Sequence, residues 1–170
     1  EVLSRLKPGL QERDIAAELD YRMRLLGADR PAFETIVACG PHSALPHAEA
    51  GQRKWKAGEP LLMDFGAQKD GYASDLTRVV HSGAASRSFQ RIYRAVLEAQ
   101  QAALDSLREG VVAAAVDRVA RNVLARHKLE SLFPHATGHG VGLEIHELPR
   151  LGKGERLRLR RGMVVSIEPG

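Results

Sequence analysis

The sequence predicts an α+β fold, with helices packed on an antiparallel sheet. Two observations carry this: strand-like and helix-like stretches follow one another in blocks, and an Asp-Gly dipeptide joins two apolar runs of hairpin length. The first element is a helix over residues 12–26. Its apolar residues Ile15, Leu19, Met23 and Leu26 recur at three- and four-residue steps, and Gly27 ends it. Residues 33–39, with Thr35, Ile36 and Val37, read as a short strand, and residues 40–51 as a loop rich in breakers that carries His42 and His47. Residues 60–68 and 72–81 read as two strands joined at Asp70-Gly71, a dipeptide that tolerates the positive dihedrals of a tight turn. A long helix follows, with Ser88 as its cap and Phe89, Ile92, Val96, Leu104 and Leu107 as its apolar stripe before Gly110. A second helix over 113–127 places Val116, Val119 and Val123 on one side, and residues 163–167 read as a final strand.

The 170 residues, 44% of them hydrophobic, suffice for one globular domain with a proper core, and no repeat or low-complexity tract is visible. No apolar run is long enough to span a bilayer, so membrane insertion is not expected. Glu1 opens inside a helical stretch and Gly170 directly follows a strand-like run, so residues 1–170 read as a domain truncated at both ends. The lone cysteine, Cys39, suits a reducing compartment, and a cytoplasmic location is expected. The formal net charge is +4, and its densest basic run is Arg156, Arg158, Arg160 and Arg161, with Leu157 and Leu159 between. This period of two reads as a solvated face of an extended segment, and without interleaved aromatic residues it gives no nucleic-acid footprint.

Three stretches concentrate chemistry. With Asp70 and Gly71 as the two-residue loop, Asp64 faces Thr77, and Asp75 falls diagonally opposite Asp64 on the same side of the sheet. Carboxylates so close call for a shared proton or a cation between them. Alone, the pair is equally compatible with a structural role, Asp64 accepting a backbone N–H and Asp75 pairing with Arg78. The second stretch is His135-Ala136-Thr137-Gly138-His139-Gly140-Val141-Gly142, followed by His146-Glu147. Neutral imidazole is a good transition-metal ligand, and glycines beside His139 let a metal or substrate approach the backbone. The stretch is neither a phosphate loop nor the helical zinc-protease motif, because Pro149 and Arg150 stand where that helix would continue. The third stretch is Ser166-Ile167-Glu168-Pro169-Gly170, a carboxylate at the end of an apolar strand that calls for a cation or a donor; taken singly it reads as a salt-bridge residue, and with two aspartates and a histidine as a fourth metal ligand. Cys39 lies in an apolar run with no orienting partner in view, so it reads as a buried small hydrophobe and not as a nucleophile.

Taken in order, Leu62-Met63-Asp64-Phe65-Gly66-Ala67, Ser74-Asp75-Leu76-Thr77-Arg78, Gly138-His139-Gly140-Val141-Gly142-Leu143 with His146-Glu147, and Ile167-Glu168-Pro169-Gly170 resemble the motifs of the pita-bread metallopeptidases. That family (M24) includes methionine aminopeptidases, prolidases, Xaa-Pro aminopeptidases and creatinases, and the resemblance covers nearly the whole chain. It implies a pseudo-symmetric fold of helices over a curved antiparallel sheet, with two divalent ions (manganese, cobalt or zinc). It further implies that Asp64 binds one ion, Asp75 bridges both, and His139 and Glu168 bind the second. The stretches from Thr35 to Ala38 and Ser43 to His47, with Phe133, His135 and Leu143, resemble the proline-handling branch. The implied activity is hydrolysis of Xaa-Pro bonds in a dipeptide by a metal-bridging hydroxide. Xaa-Pro aminopeptidase action on longer peptides is the alternative, and a non-catalytic binding module is the alternative of another class. In this reading Glu168 takes and passes the proton, His135 and His146 steady the carbonyl and oxyanion, and His47 lines the scissile-bond subsite. Family members have a fifth ligand, a glutamate beyond the Glu-Pro-Gly motif, which falls past Gly170. Proline-specific members also carry an amino-terminal domain that supports a homodimer.

Overall fold

The structure, a computed structural model, describes residues 2–45 and 48–170. The chain divides into two compact units, Glu1–Ala85 and Ser86–Gly170. Among the described residues there are three α-helices and eight strands.

In the first unit, α1 (Glu12–Leu25) precedes β1 (Arg30–Pro31) and β2 (Ile36–Cys39). Then come β3 (Pro60–Phe65), β4 (Ala67–Lys69), β5 (Tyr72–Ala73) and β6 (Leu76–His81), with a 3-10 turn over Gly40–Ala44. The predicted hairpin is present: Lys69 pairs with Tyr72, and Asp70 (φ 50°) and Gly71 (φ 86°) both take the left-handed backbone of a two-residue turn. The register runs unshifted to Asp64 opposite Thr77, as the turn predicts, and Ile36 flanks Asp64 from β2. The two predicted strands are each interrupted, however, at Gly66 and at Ser74-Asp75. There the Ser74 side chain replaces a ladder bond, its Oγ accepting from Ala67 N–H at 2.9 Å. A side chain at Gly66 would put Cβ 1.9 Å from the Ser74 carbonyl oxygen, so only glycine allows the strands to stay this close. The strand expected over 33–39 begins only at Ile36. Ile15, Ala16 and Leu19 of α1 pack with Val37, Cys39, Leu61, Met63 and Trp55 in one core. Leu26, expected in the buried stripe, is exposed because the helix has already ended.

In the second unit, α2 (Arg87–Ser106) and α3 (Ala113–Arg126) pack together, followed by β7 (Gly138–Gly140) and β8 (Glu147–Leu151). The expected stripe of α2 is corrected: Ala95, Ala99 and Ala103 are its buried residues, whereas Ile92 and Leu104 are exposed and Val96 and Leu107 are only partly buried. Alanines every four residues let α3 approach closely, and Val116, Ala120 and Val123 of α3 belong to the same cluster. The cap is Ser86 rather than Ser88, its Oγ accepting from Phe89 N–H at 3.2 Å. The predicted strand over 163–167 forms only one isolated bridge, Val165 opposite Gly140, although its backbone follows β7 through bonds from Val141 N to Val164 O and from Ser166 N to His139 O. The arginines at 156, 158, 160 and 161 are exposed and Leu159 is buried, as the period of two requires.

A repeat that the sequence does not display appears in the hydrogen bonds. Neither α1 nor α3 has a side-chain cap, so each leaves its first N–H groups without a local partner. An extended segment supplies the carbonyls instead: Arg53 to Glu12 N and Gly51 to Arg13 N in the first unit, Leu157 to Ala113 N and Glu155 to Ala114 N in the second. Gly9 donates to Trp55 O as Gly110 donates to Leu159 O, each at 2.8 Å, and the bridges Gln11–Lys54 and Val112–Arg158 correspond. Backbone geometry thus recurs where few side chains do, in keeping with the pseudo-symmetric fold that the motifs imply.

Candidate metal centre

In the first unit Asp64 lies near the end of β3, partly buried, and its Oδ1 accepts from Thr77 Oγ at 2.9 Å. That bond fixes one carboxylate oxygen and orients the group across the β3–β6 pair. Asp75 sits in the gap between β5 and β6, two residues before Thr77 and also partly buried. His47 lies outside the described residues.

The backbone at Cys39 and at Gly51, on either side of the predicted loop, is anchored by one buried carboxylate. Glu12, at the start of α1 and wholly buried, accepts from Cys39 N–H at 2.9 Å, Gly51 N–H at 3.2 Å and His42 Nδ1 at 2.9 Å. Burial alone would raise its pKa, but the N–H groups of Cys39 and Gly51 and the His42 ring outweigh this and hold it below the ordinary value. Burial pushes the Cys39 thiol up to about 11, with the Glu12 carboxylate adding to the effect, so Cys39 is no nucleophile, as expected.

In the second unit the structure brings His139 and Glu168 together. His139 Nδ1 faces the Gly140 carbonyl oxygen at 2.9 Å; a carbonyl only accepts, so Nδ1 carries the ring hydrogen. This turns Nε2 toward Glu168 Oε1, 3.1 Å away. Two acceptors at that distance need a proton or a metal cation between them, and an imidazole nitrogen with a carboxylate oxygen is a donor set suited to manganese, cobalt or zinc. Ser166 secures both partners: its Oγ donates to Glu168 Oε1 at 2.9 Å and accepts from His139 N–H at 3.1 Å. Period two puts Ser166 on the side of Glu168, which is the signal that would have found it.

Glycine makes this close approach possible, since a Cβ at Gly138 would lie 1.9 Å from Ser166 O. Another glycine, Gly142, leaves room for Glu147, whose Oε1 accepts from Glu144 N–H at 2.9 Å and closes the loop between β7 and β8. That loop brings the exposed His146 ring within 4.3 Å of the His139 ring. His135 is part-buried, its ring set edge-on to Phe133 at 4.7 Å and its Nδ1 directed to Ala136 O at 2.8 Å.

Residues 1–170 match the family model described as metallopeptidase family M24. Over 168 residues the chain is 42% identical to a Xaa-Pro dipeptidase of Pyrococcus horikoshii, and 40% identical to one of Pyrococcus furiosus, covering 99% of this chain and 48% of each relative. Among solved structures, a prolidase from Pyrococcus furiosus superposes with TM-score 0.97 at 39% identity, over 99% of this chain and 50% of that one. An X-Pro aminopeptidase from Thermotoga maritima superposes with TM-score 0.96 at 39% identity, over 99% and 48%. The fold is thus the α+β pita-bread fold that the motifs imply. The chain spans about half the length of the curated relatives it matches.

Proposed function

Because this chain belongs to metallopeptidase family M24, we propose that it forms part of a metal-dependent exopeptidase that hydrolyses Xaa-Pro dipeptides. The observation that carries this reading is the His139–Glu168 pair, an imidazole nitrogen and a carboxylate oxygen 3.1 Å apart that a proton or a divalent cation between them would satisfy. In this proposal Asp64, Asp75, His139 and Glu168 hold two divalent ions, of manganese, cobalt or zinc. When bound, such ions polarise the scissile carbonyl and acidify a water near neutral pH. Glu168 serves as both ligand and proton carrier, with the Ser166 hydroxyl on Oε1 leaving Oε2 to handle the proton. His146, beside His139, and His135 offer N–H groups to the carbonyl and to the oxyanion that grows from it, and His47 lines the subsite at the scissile bond. A tertiary prolyl amide has no N–H to donate, so recognition falls to apolar walls and to the free terminus of the substrate. The proposal places the enzyme in the cytoplasm as a homodimer. A chain with a single cysteine, buried and free, suits that compartment.

The likeness to an X-Pro aminopeptidase supports a second reading, release of an amino-terminal residue from longer Xaa-Pro peptides. Hydrolysis of a Xaa-Pro dipeptide and of a longer Xaa-Pro peptide by the whole protein, with each of the three metals, separates them. Cleavage of the dipeptide alone, abolished by Asp75→Asn, is the expected result, and cleavage of the longer peptide moves the assignment to the aminopeptidase. No metal-dependent cleavage of either overturns both.

A further inference from the structure

A buried ion pair on α3 has no part in the chemistry described so far. Asp117 is 1% exposed, and Arg121, one turn on, donates from Nε to Asp117 Oδ2 at 2.8 Å. Both stand on the face of α3 that also carries Val116, Ala120 and Leu124. Removing two charges from water is costly, and an apolar pair of similar size would stabilise the helix at least as well. What the pair holds therefore matters more than its own strength.

Beyond the bond within the pair, its polar groups are directed mainly at the segment that leads into β7. Arg121 Nη1 donates to the carbonyl oxygen of Phe133 at 3.0 Å, Nη2 donates to that of His135, and the guanidinium lies over the Phe133 ring, 4.3 Å from its centre. Nη1 also lies 3.5 Å from Glu130 Oε1. Asp117 Oδ1 accepts from Thr137 Oγ at 2.9 Å and from Thr137 N–H at 3.2 Å. Thr137 is itself fully buried, and its carbonyl oxygen accepts from Glu168 N–H at 2.8 Å. One residue thus lies two positions before His139 and is bonded directly to the backbone of Glu168.

We propose that Asp117 and Arg121 act through Thr137 as positioning residues, setting the separation of His139 Nε2 and Glu168 Oε1 at which a divalent cation is held. The inference rests on the metal-dependent reading above, and its test is binding of the metal, which can succeed or fail independently of any peptide cleavage. Thr137→Val keeps the shape of the side chain and removes only its hydroxyl. In the whole protein, titrated calorimetrically with manganese, this variant is expected to bind at least about tenfold more weakly than the parent, the usual effect of losing a group that orients a ligand. Thr137→Ser restores the hydroxyl and the affinity. Val123→Ala, an apolar truncation in the core of the same helix, lowers the melting temperature while leaving the affinity unchanged. Arg121→Lys, which cannot reach both the Phe133 and His135 carbonyls from one planar group, weakens binding as Thr137→Val does. Parental affinity in Thr137→Val, failure of Thr137→Ser to restore binding, or an equal loss in Val123→Ala each overturns the proposal. A parent that binds manganese but cleaves no Xaa-Pro peptide removes the proposed substrate and leaves the positioning role standing.

Discussion

At the scale of residues, the site depends on side chains that share their oxygens with neighbours before any metal is considered. Thr77 takes one oxygen of Asp64, and Ser166 takes one of Glu168. Glu12 is a further such residue, a carboxylate with no exposure whose charge is met by two N–H groups and an imidazole. Glu12→Gln leaves those donors with a weaker acceptor and puts an amide N–H₂ among them, so equilibrium urea denaturation at neutral pH should show a loss of about 2 kcal/mol. The pH dependence has a definite sign. The folded-state pKa of Glu12 lies below the ordinary 4.5, so its contribution is present above the unfolded value and is lost as pH falls through the folded one. Stability profiles of parent and variant should therefore converge on acidification below that ordinary value, and parallel profiles would remove the assigned role. Asp64 and Glu168 stood out in the sequence because apolar flanks make a carboxylate conspicuous, while their proposed role as ligands came from the resemblance of the four motifs. Thr77 and Ser166 were less so, since a hydroxyl in a strand is unremarkable until its partner is known.

Among elements, the instructive case is α2. Its large apolar residues, Ile92, Leu97 and Leu104, are each more than 40% exposed, while Ala95, Ala99 and Ala103 are wholly buried. Periodicity marks large apolar residues and passes over alanine, yet a close helix pair selects small ones. Two substitutions one turn or less apart test this. Ala99→Leu forces volume into a filled interface and should cost about 1–3 kcal/mol, whereas Leu97→Ala should change stability by no more than about 0.5 kcal/mol. Thermal or denaturant melts of the two variants decide it; a larger loss from Leu97→Ala would reverse the assignment of faces. The β3–β6 hairpin is the opposite case. Asp70-Gly71 set its register from local turn chemistry alone, and only the interruptions at Gly66 and Ser74, which follow from strands approaching too closely for a side chain, lay beyond reach.

For the whole molecule, metal binding and stability are linked, because ligands brought together by folding bind the ion only in the folded state. Manganese at a hundred times its dissociation constant should stabilise the whole protein by about 2.7 kcal/mol, read as a rise in melting temperature that a chelator reverses. In Asp75→Asn the same addition should give a much smaller rise, and an undiminished one would remove Asp75 from the ligand set. The repeated frame in which an extended segment feeds the first turn of α1 and of α3 belongs to this scale too. It is carried by backbone N–H and carbonyl groups, which every residue type possesses, so the two units can diverge in side chains and keep the frame.

The sequence by itself determined the α+β fold class, the hairpin register that places Asp64 opposite Thr77 and the order of the four motifs, whereas the ligand roles proposed for His139 and Glu168 come from the family resemblance that those motifs carry. The first three are local quantities: periodicity, turn chemistry, and the spacing of metal-binding residue types among glycines. Only the tertiary structure decided that His139 presents Nε2 rather than Nδ1, that Asp117 and Arg121 reach Thr137 and the Phe133 and His135 carbonyls, and that alanines form the buried face of α2. Each of these depends on which backbone carbonyl or neighbouring helix lies within a few ångströms of a side chain. Partners of that kind come from stretches far apart along the chain and carry no mark in the residues beside them.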